Sequence, residues 1–277
     1  VVALPYAVVG GVTAQIVQRI QSLQRCGYEV SVVLTEECLT TQVDVSDELR
    51  RLTPHVFDMP KLLGGELEWQ SFFAHLLKTR GATHLVLAGS AYLYQSLPAI
   101  KDAFPSIQVI DLQFNLGCHF ESCKEYWPYI DGVIAENEEV AAALTAFQER
   151  MKCTRTRIEL IHNGVDLLRF KPASLGEREA CRKALQIAQD KVVVAYLGRL
   201  SREKGPELLL DCAARLKDCA TIQWVLAGPG PLDEELRDRR RFLGLESQVL
   251  MPGLVATAEI LPAVDILLVP SRLDGRP

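Results

Sequence analysis

Arg199 and Lys204 stand five residues apart in the segment Gly198-Arg199-Leu200-Ser201-Arg202-Glu203-Lys204-Gly205. The apolar run Val192-Val193-Val194-Ala195-Tyr196-Leu197 precedes it, and a helical pattern opening at Pro206 follows. That order predicts a buried strand, a polar loop and a helix start. Free backbone amides and the positive end of a helix dipole favour an anion at such a place. Two cations on a loop that Gly198 and Gly205 allow to bend sharply are suited to clamp a diphosphate. The same pair would also serve as ordinary solvated loop charges.

Other loops carry weaker signals of the same kind. Gly10-Gly11 lies between the first apolar run and the helix Ala14-Gln15-Ile16-Val17-Gln18-Arg19-Ile20, where a missing Cβ lets a phosphate or sugar approach the backbone. It is not a Gly-x-Gly-x-x-Gly turn. Gly228-Pro229-Gly230-Pro231 follows the run Ile222-Gln223-Trp224-Val225-Leu226 and precedes an acidic helix start, which plain capping would also explain. Met251-Pro252-Gly253-Leu254-Val255 offers backbone that could line a flat base pocket.

The whole chain bounds these readings. Its 277 residues, 48% hydrophobic and 23% charged, provide core for one large or two medium domains. A formal charge of −5 and a pI near 5.6 exclude a typical nucleic-acid binder. Neither end reads as a signal peptide, and no apolar stretch reaches the ~18 residues that span a bilayer. Both ends nevertheless read as cut, since Val1 already lies in an apolar run and Pro277 in a polar loop. The eight cysteines, at 26, 38, 118, 123, 153, 181, 212 and 219, contain no Cys-x-x-Cys pair and read as reduced, cytosolic core thiols. Cys118, His119 and Cys123 lack a fourth ligand at metal-site spacing, so no metal is expected.

Short apolar runs alternate with amphipathic stretches, as in βα units on a parallel sheet. Strands are expected at 1–6, 29–34, 84–88, 107–112, 131–135, 158–161, 192–197, 221–227, 248–251 and 265–269. Helices are expected near 12–25, 67–80, 91–103, 137–150, 177–186, 206–217, 232–243 and 257–262, with Asn137 as an N-cap. A domain boundary falls at Ile161-His162-Asn163-Gly164-Val165-Asp166, shortly before Pro172. The expected architecture is α/β, with two Rossmann-like, doubly wound parallel-sheet domains, one over residues 1–168 and an incomplete one over residues 169–277.

In that order, Gly10-Gly11, Ile161-His162-Asn163-Gly164-Val165-Asp166, Gly198-Arg199-Leu200, Glu203-Lys204-Gly205, Gly228-Pro229-Gly230-Pro231-Leu232, Gly253 and Val269-Pro270-Ser271-Arg272-Leu273-Asp274-Gly275 resemble the family 4 (group 1) retaining glycosyltransferases. The resemblance is strong over 158–277 and only patterned over 1–157. It implies the GT-B fold, in which the two domains face a cleft. It implies transfer of a sugar from a nucleoside-diphosphate sugar to an acceptor hydroxyl, with retention and no metal cofactor. Arg199 and Lys204 would then bind the donor diphosphate, with Gly10, Gly11 and Gly198 close to the phosphates. Gly228, Gly230, Leu254 and Val255 would border the nucleotide, and Asp274 would hold donor-sugar hydroxyls.

Two departures accompany the resemblance. Asp274 stands where the family's Glu-x7-Glu begins with Glu. The stretch after the fifth strand, Ile110-Asp111-Leu112-Gln113-Phe114-Asn115, offers Gln113 and Asn115 but no His before His119. The acceptor, whether glycan, lipid-linked or small molecule, is not encoded. The resemblance also implies a cytoplasmic protein of polysaccharide biosynthesis, with peripheral association at the inner membrane face as an option. A sugar-nucleotide epimerase of the same fold, and a non-catalytic sugar-nucleotide-binding module, remain the alternatives.

Overall fold

The computed structural model describes residues 1–38, 43–117 and 119–272. Their contacts group the chain into a first unit, Val1–Asn163, and a second unit that begins at Gly164. In the first unit the elements run β1 (Val2–Leu4), α1 (Gly11–Arg25), β2 (Val32–Leu34), α2 (Ser46–Leu52), β3 (Val56–Asp58), α3 (Met59–Leu62), α4 (Glu66–Thr79) and β4 (His84–Leu87). They continue with α5 (Ala91–Ala103), β5 (Gln108–Gln113), α6 (Phe120–Glu125), β6 (Gly132–Ala135), α7 (Glu138–Met151) and β7 (Arg157–Leu160). The seven strands form one parallel sheet in the order β3-β2-β1-β4-β5-β6-β7.

The sheet is covered on both faces because successive strand residues point to opposite sides. Ala3, Val33, Leu85 and Leu87 join Leu77, Leu93, Leu97 and Leu144 in one core. Val2, Leu4, Val32 and Leu34 face the other way and meet Ile16, Ile20 and Leu49. This is the expected doubly wound arrangement. Asn137 caps α7 as expected, its Oδ1 accepting the Val140 N–H at 2.9 Å.

The second unit contains α8 (Leu175–Ala184), β8 (Val192–Leu197), α9 (Glu207–Arg215), β9 (Ile222–Ala227), α10 (Asp233–Phe242), β10 (Val249–Gly253), α11 (Thr257–Ile260) and β11 (Ile266–Leu267). Its parallel sheet has the order β10-β9-β8-β11. Val194, Tyr196, Trp224 and Leu226 pack under α9 and α10, while Val193, Ala195, Val225 and Ala227 meet Ile187 and Ile260 on the opposite face. Arg182 is fully buried and pairs with Asp265 at 2.7 Å, and it also donates to the carbonyls of Ala263, Gln189 and Lys191. Asp265 in turn accepts the Val193 N–H at 2.8 Å, which fastens α8 to the start of both central strands.

Three expectations are corrected. β3, α2, α3 and α6 have no counterpart in the predicted elements. β11 is two residues long instead of five. Among the described residues only Cys123 is a fully buried thiol, whereas Cys26 and Cys219 are exposed. Among the described residues no helix is long and apolar enough to cross a membrane.

Candidate functional site

In a doubly wound sheet, ligands collect outside the carboxyl ends of the strands, where strand order reverses. In the second sheet that reversal falls between β8 and β11. β8 leads into residues 198–205, and beyond β11 come residues 268–272.

The loops at this edge are laced together through their backbones. Gly198 donates to the Ala227 carbonyl at 3.0 Å, Leu200 to Pro229 at 2.8 Å, Leu232 to Leu200 at 3.0 Å, Gly228 to Gly253 at 2.8 Å and Arg272 to Glu203 at 2.8 Å. Glycine is required where they touch. Gly228 has a φ of +138°, and a Cβ there would meet the Gly198 carbonyl oxygen at 1.9 Å. A Cβ on Gly230 would lie 2.3 Å from the Leu200 carbonyl oxygen. Gly205, left-handed at a φ of +63°, would press a Cβ to 2.8 Å from the Pro270 carbonyl oxygen. The neighbouring backbone therefore accounts for these three glycines, including the two assigned from sequence to the nucleotide.

Three cations stand on the resulting platform. Residues Arg202–Lys204 form a single 3₁₀ turn. Arg199 precedes it and Lys204 ends it, both half-buried, and Arg202 lies exposed at its start. The Arg199 guanidinium pairs through Nη2 with Glu203, whose Oε1 also accepts the Ser201 hydroxyl at 2.6 Å. Partial burial works to raise the Glu203 carboxyl, but Ser201, a backbone N–H and Arg199 outweigh it and hold the group below the usual carboxylate range. Arg272 pairs with Glu207 at 2.7 Å and Arg202 with Glu235 at 3.3 Å. Leu254 is exposed and Val255 is packed against the lower core. Asp274 lies outside the described residues.

The first unit has its own reversal, between β1 and β4. Gly10 and Gly11, at the start of α1, differ from the glycines above, since a Cβ on either would meet nothing within 4 Å. Across the reversal, the Thr35 and Ser90 hydroxyls bond at 2.7 Å. Ser90 caps α5 by accepting the Leu93 N–H at 3.2 Å.

Gln113 and Asn115, the residues offered in place of a His, are both engaged internally. Gln113 is buried and donates to Asp111 at 2.8 Å and to the Tyr94 hydroxyl at 3.1 Å. Asn115 accepts the Gly117 N–H at 2.8 Å. His119 is the residue that reaches this edge: its ring occupies the place of a Gly89 side chain, 2.4 Å from a Cβ built there, and stacks on Tyr94. Its basicity is lowered by burial. Tyr94 is held in turn by Asp111 at 2.8 Å, and burial pushes that carboxyl up to about 6. Sequence reading named His119 as the first His beyond that stretch but did not find its contact with Gly89, which lies thirty positions away. Among the described residues no cluster of His, Cys, Asp and Glu could hold a metal ion.

At the far end of this unit, Glu136 closes a ring of polar side chains. The buried carboxylate accepts Arg19 Nη2 at 2.7 Å and Asn163 Nδ2 at 2.6 Å, and Arg19 also reaches Asn163 Oδ1 at 3.3 Å. The Asn of the Asn-Gly segment is thus used for its side chain.

Comparison with known proteins joins these features. Residues 177–277 match the family model described as Glycosyl transferases group 1. The chain is similar to the putative glycosyltransferase EpsF of Bacillus subtilis, at 34% identity over 125 residues, covering 44% of this chain and 32% of that protein. It is also similar to a D-inositol 3-phosphate glycosyltransferase of Mycolicibacterium vanbaalenii, at 33% identity over 142 residues, covering 51% and 29%. These matches span about a third of the relatives' own length.

Among solved structures, Anabaena HepE in complex with UDP and glucose superposes with a TM-score of 0.72 at 19% identity, over 98% of this chain and 73% of that one. WaaG, a glycosyltransferase involved in lipopolysaccharide biosynthesis, gives 0.68 at 15% identity, over 99% and 76%. The second unit carries the sequence signature of group 1 glycosyl transferases, and the fold is that of the GT-B glycosyltransferases, with two Rossmann-like domains.

Proposed function

We propose that this chain belongs to a glycosyltransferase that moves a sugar from a nucleoside-diphosphate sugar to an acceptor hydroxyl, with the donor on the second unit and the acceptor on the first. The observation that carries the reading is the grouping of Arg199, Arg202 and Lys204 on the rigid loop that leaves β8, at the strand-order reversal of the second sheet. A guanidinium has five N–H donors, and the pair with Glu203 engages Nη2. Arg199 therefore retains donors for a phosphate oxygen.

In the reaction, the bond from the anomeric carbon to the diphosphate oxygen breaks and a bond to the acceptor oxygen forms. Negative charge grows on the departing diphosphate, and Arg199 and Lys204 are suited to stabilise it electrostatically. The acceptor proton passes to a phosphate oxygen, so the protein needs no strong base. Retention of configuration, and a role for Asp274 at the donor sugar, follow from the family resemblance. UDP is the first nucleotide to try, because HepE binds it in its solved complexes.

The test is the Arg199→Ala, Lys204→Ala double variant of the full-length protein, assayed by UDP release and by UDP titration. Both should be lost while the circular dichroism spectrum is retained. Undiminished UDP release would overturn the reading.

A further inference from the structure

Glu203 stands among the three cations of residues 198–205, where its carboxylate weakens the field that a diphosphate would meet. On charge alone it is out of place. Its contacts give it another use. Glu203 Oε1 accepts Arg199 Nη2 and, at 2.6 Å, the Ser201 hydroxyl, so a single oxygen ties the guanidinium to the turn that follows it. Partial burial works to raise this carboxyl, and Ser201 and Arg199 help to hold it below the usual carboxylate range, where it stays a charged acceptor.

The main chain beneath the pair is held at both ends. The Arg199 carbonyl accepts the Tyr196 hydroxyl at 2.6 Å and the Ser201 N–H at 3.0 Å. The Glu203 carbonyl accepts the Arg272 N–H at 2.8 Å. Both side chains therefore leave from fixed backbone. Among the described residues Glu203 is the only hydrogen-bond partner of the Arg199 guanidinium, so its Nε and Nη1 have no protein acceptor there. The two side chains are 39% and 37% exposed, and a pair that open to water adds little to stability. What it does fix is the rotamer of a long side chain.

We propose that Glu203, braced by Ser201, is a positioning residue for Arg199: it orders the guanidinium in advance and leaves Nε and Nη1 for a phosphate oxygen. An acid thus assists the binding of an anion. The proposal rests on the reading that residues 198–205 take the donor diphosphate.

The experiment titrates UDP into the full-length protein carrying Glu203→Gln, Glu203→Ala or Ser201→Ala. The two Glu203 variants are also made in an Arg199→Ala background. Gln and Ala both remove the charge, but only Gln keeps an Oε1 acceptor for Nη2 and the hydroxyl. Glu203→Ala should bind UDP roughly three- to tenfold more weakly than Glu203→Gln, the factor that ordering one long side chain on binding corresponds to. KM for UDP-glucose should rise to match, with equal urea midpoints. Ser201→Ala should weaken UDP binding by a smaller factor. In the Arg199→Ala background the Ala and Gln variants should bind alike, because the positioned group is gone. Glu203→Ala binding as tightly as Glu203→Gln, or a gap that persists without Arg199, overturns the proposal. Arg199→Ala that binds UDP as well as wild type removes the donor reading itself, and this proposal falls with it. Weakened binding in Arg199→Ala without a gap between the Glu203 variants overturns this proposal alone.

Discussion

Gly228 lies so close to Gly198 that a Cβ on the former would sit 1.9 Å from the carbonyl oxygen of the latter. No side chain fits there, and the φ of +138° also disfavours any L-residue. The loops of the second unit therefore meet backbone to backbone here, and their relative placement depends on the Cβ that Gly228 lacks.

Gly228→Ala should cost about 3 kcal/mol or more, because the clash is with main chain that cannot rotate away. Gly11→Ala should behave oppositely, since its Cβ would enter open space. At a helix start it should leave stability unchanged or raise it by up to ~1 kcal/mol, while weakening UDP binding if Gly11 approaches the phosphates. Urea unfolding of both variants, with UDP titration of the second, distinguishes a packing glycine from a ligand-facing one. Equal stability losses would refute the distinction.

Arg182→Met should destabilise the second unit by about 2–4 kcal/mol, below the full range for a broken buried pair because Asp265 is partly exposed. Four bonds are lost at once, three of them to carbonyls that no other described side chain contacts in the same way. The measurement is the denaturation midpoint, and a shift within error would show that α8 is held by its apolar contacts alone.

Asp111 supplies a pH-dependent prediction. Burial raises its carboxyl from an ordinary value of 3.8 to about 6 in the folded protein. A group raised in the folded state contributes most below its unfolded value, and that contribution is lost as pH rises through the folded value. Asp111→Asn carries no such titration. Its stability relative to wild type should therefore improve between pH 4 and pH 6 and level off above that, by up to ~3 kcal/mol for a shift of this size. A constant difference across that window would mean that the Tyr94 and Gln113 bonds fully offset burial.

Metal dependence tests the charge balance at the proposed donor site. If Arg199 and Lys204 carry the diphosphate, EDTA-treated full-length protein should release UDP from UDP-glucose at an undiminished rate. Activity that disappears with EDTA and returns with manganese would assign the diphosphate charge to a metal instead.

The legible parts of the fold were those with long apolar runs. Val192–Leu197 and Ile222–Ala227 became β8 and β9 within a residue of expectation, and Asn137 began α7 where its side chain could cap it. β3 escaped because Val56–Asp58 is short and is a strand only through its register on Val32–Leu34. α6 escaped because Phe120–Glu125 has no helical period of its own and is set by packing of Phe120 and Cys123 beneath the sheet. In the second unit, the strand–loop–helix setting of Arg199 and Lys204 was readable from the sequence. The pairing of Gly89 with His119 was not, because it is a contact between distant residues of unrelated patterns.

The ring of Arg19, Glu136 and Asn163 bears on how the gene can be divided. Asn163 is the last residue of the first unit, and its amide is already spent on Glu136. Immediately beyond it, Val165, Leu167 and Leu168 are exposed. A stop codon after Asn163 would leave every member of the ring in place, giving a piece that ends on its own fastening and that NMR can follow residue by residue. Acceptor candidates could then be screened by shift changes on that piece, with no nucleotide in the tube.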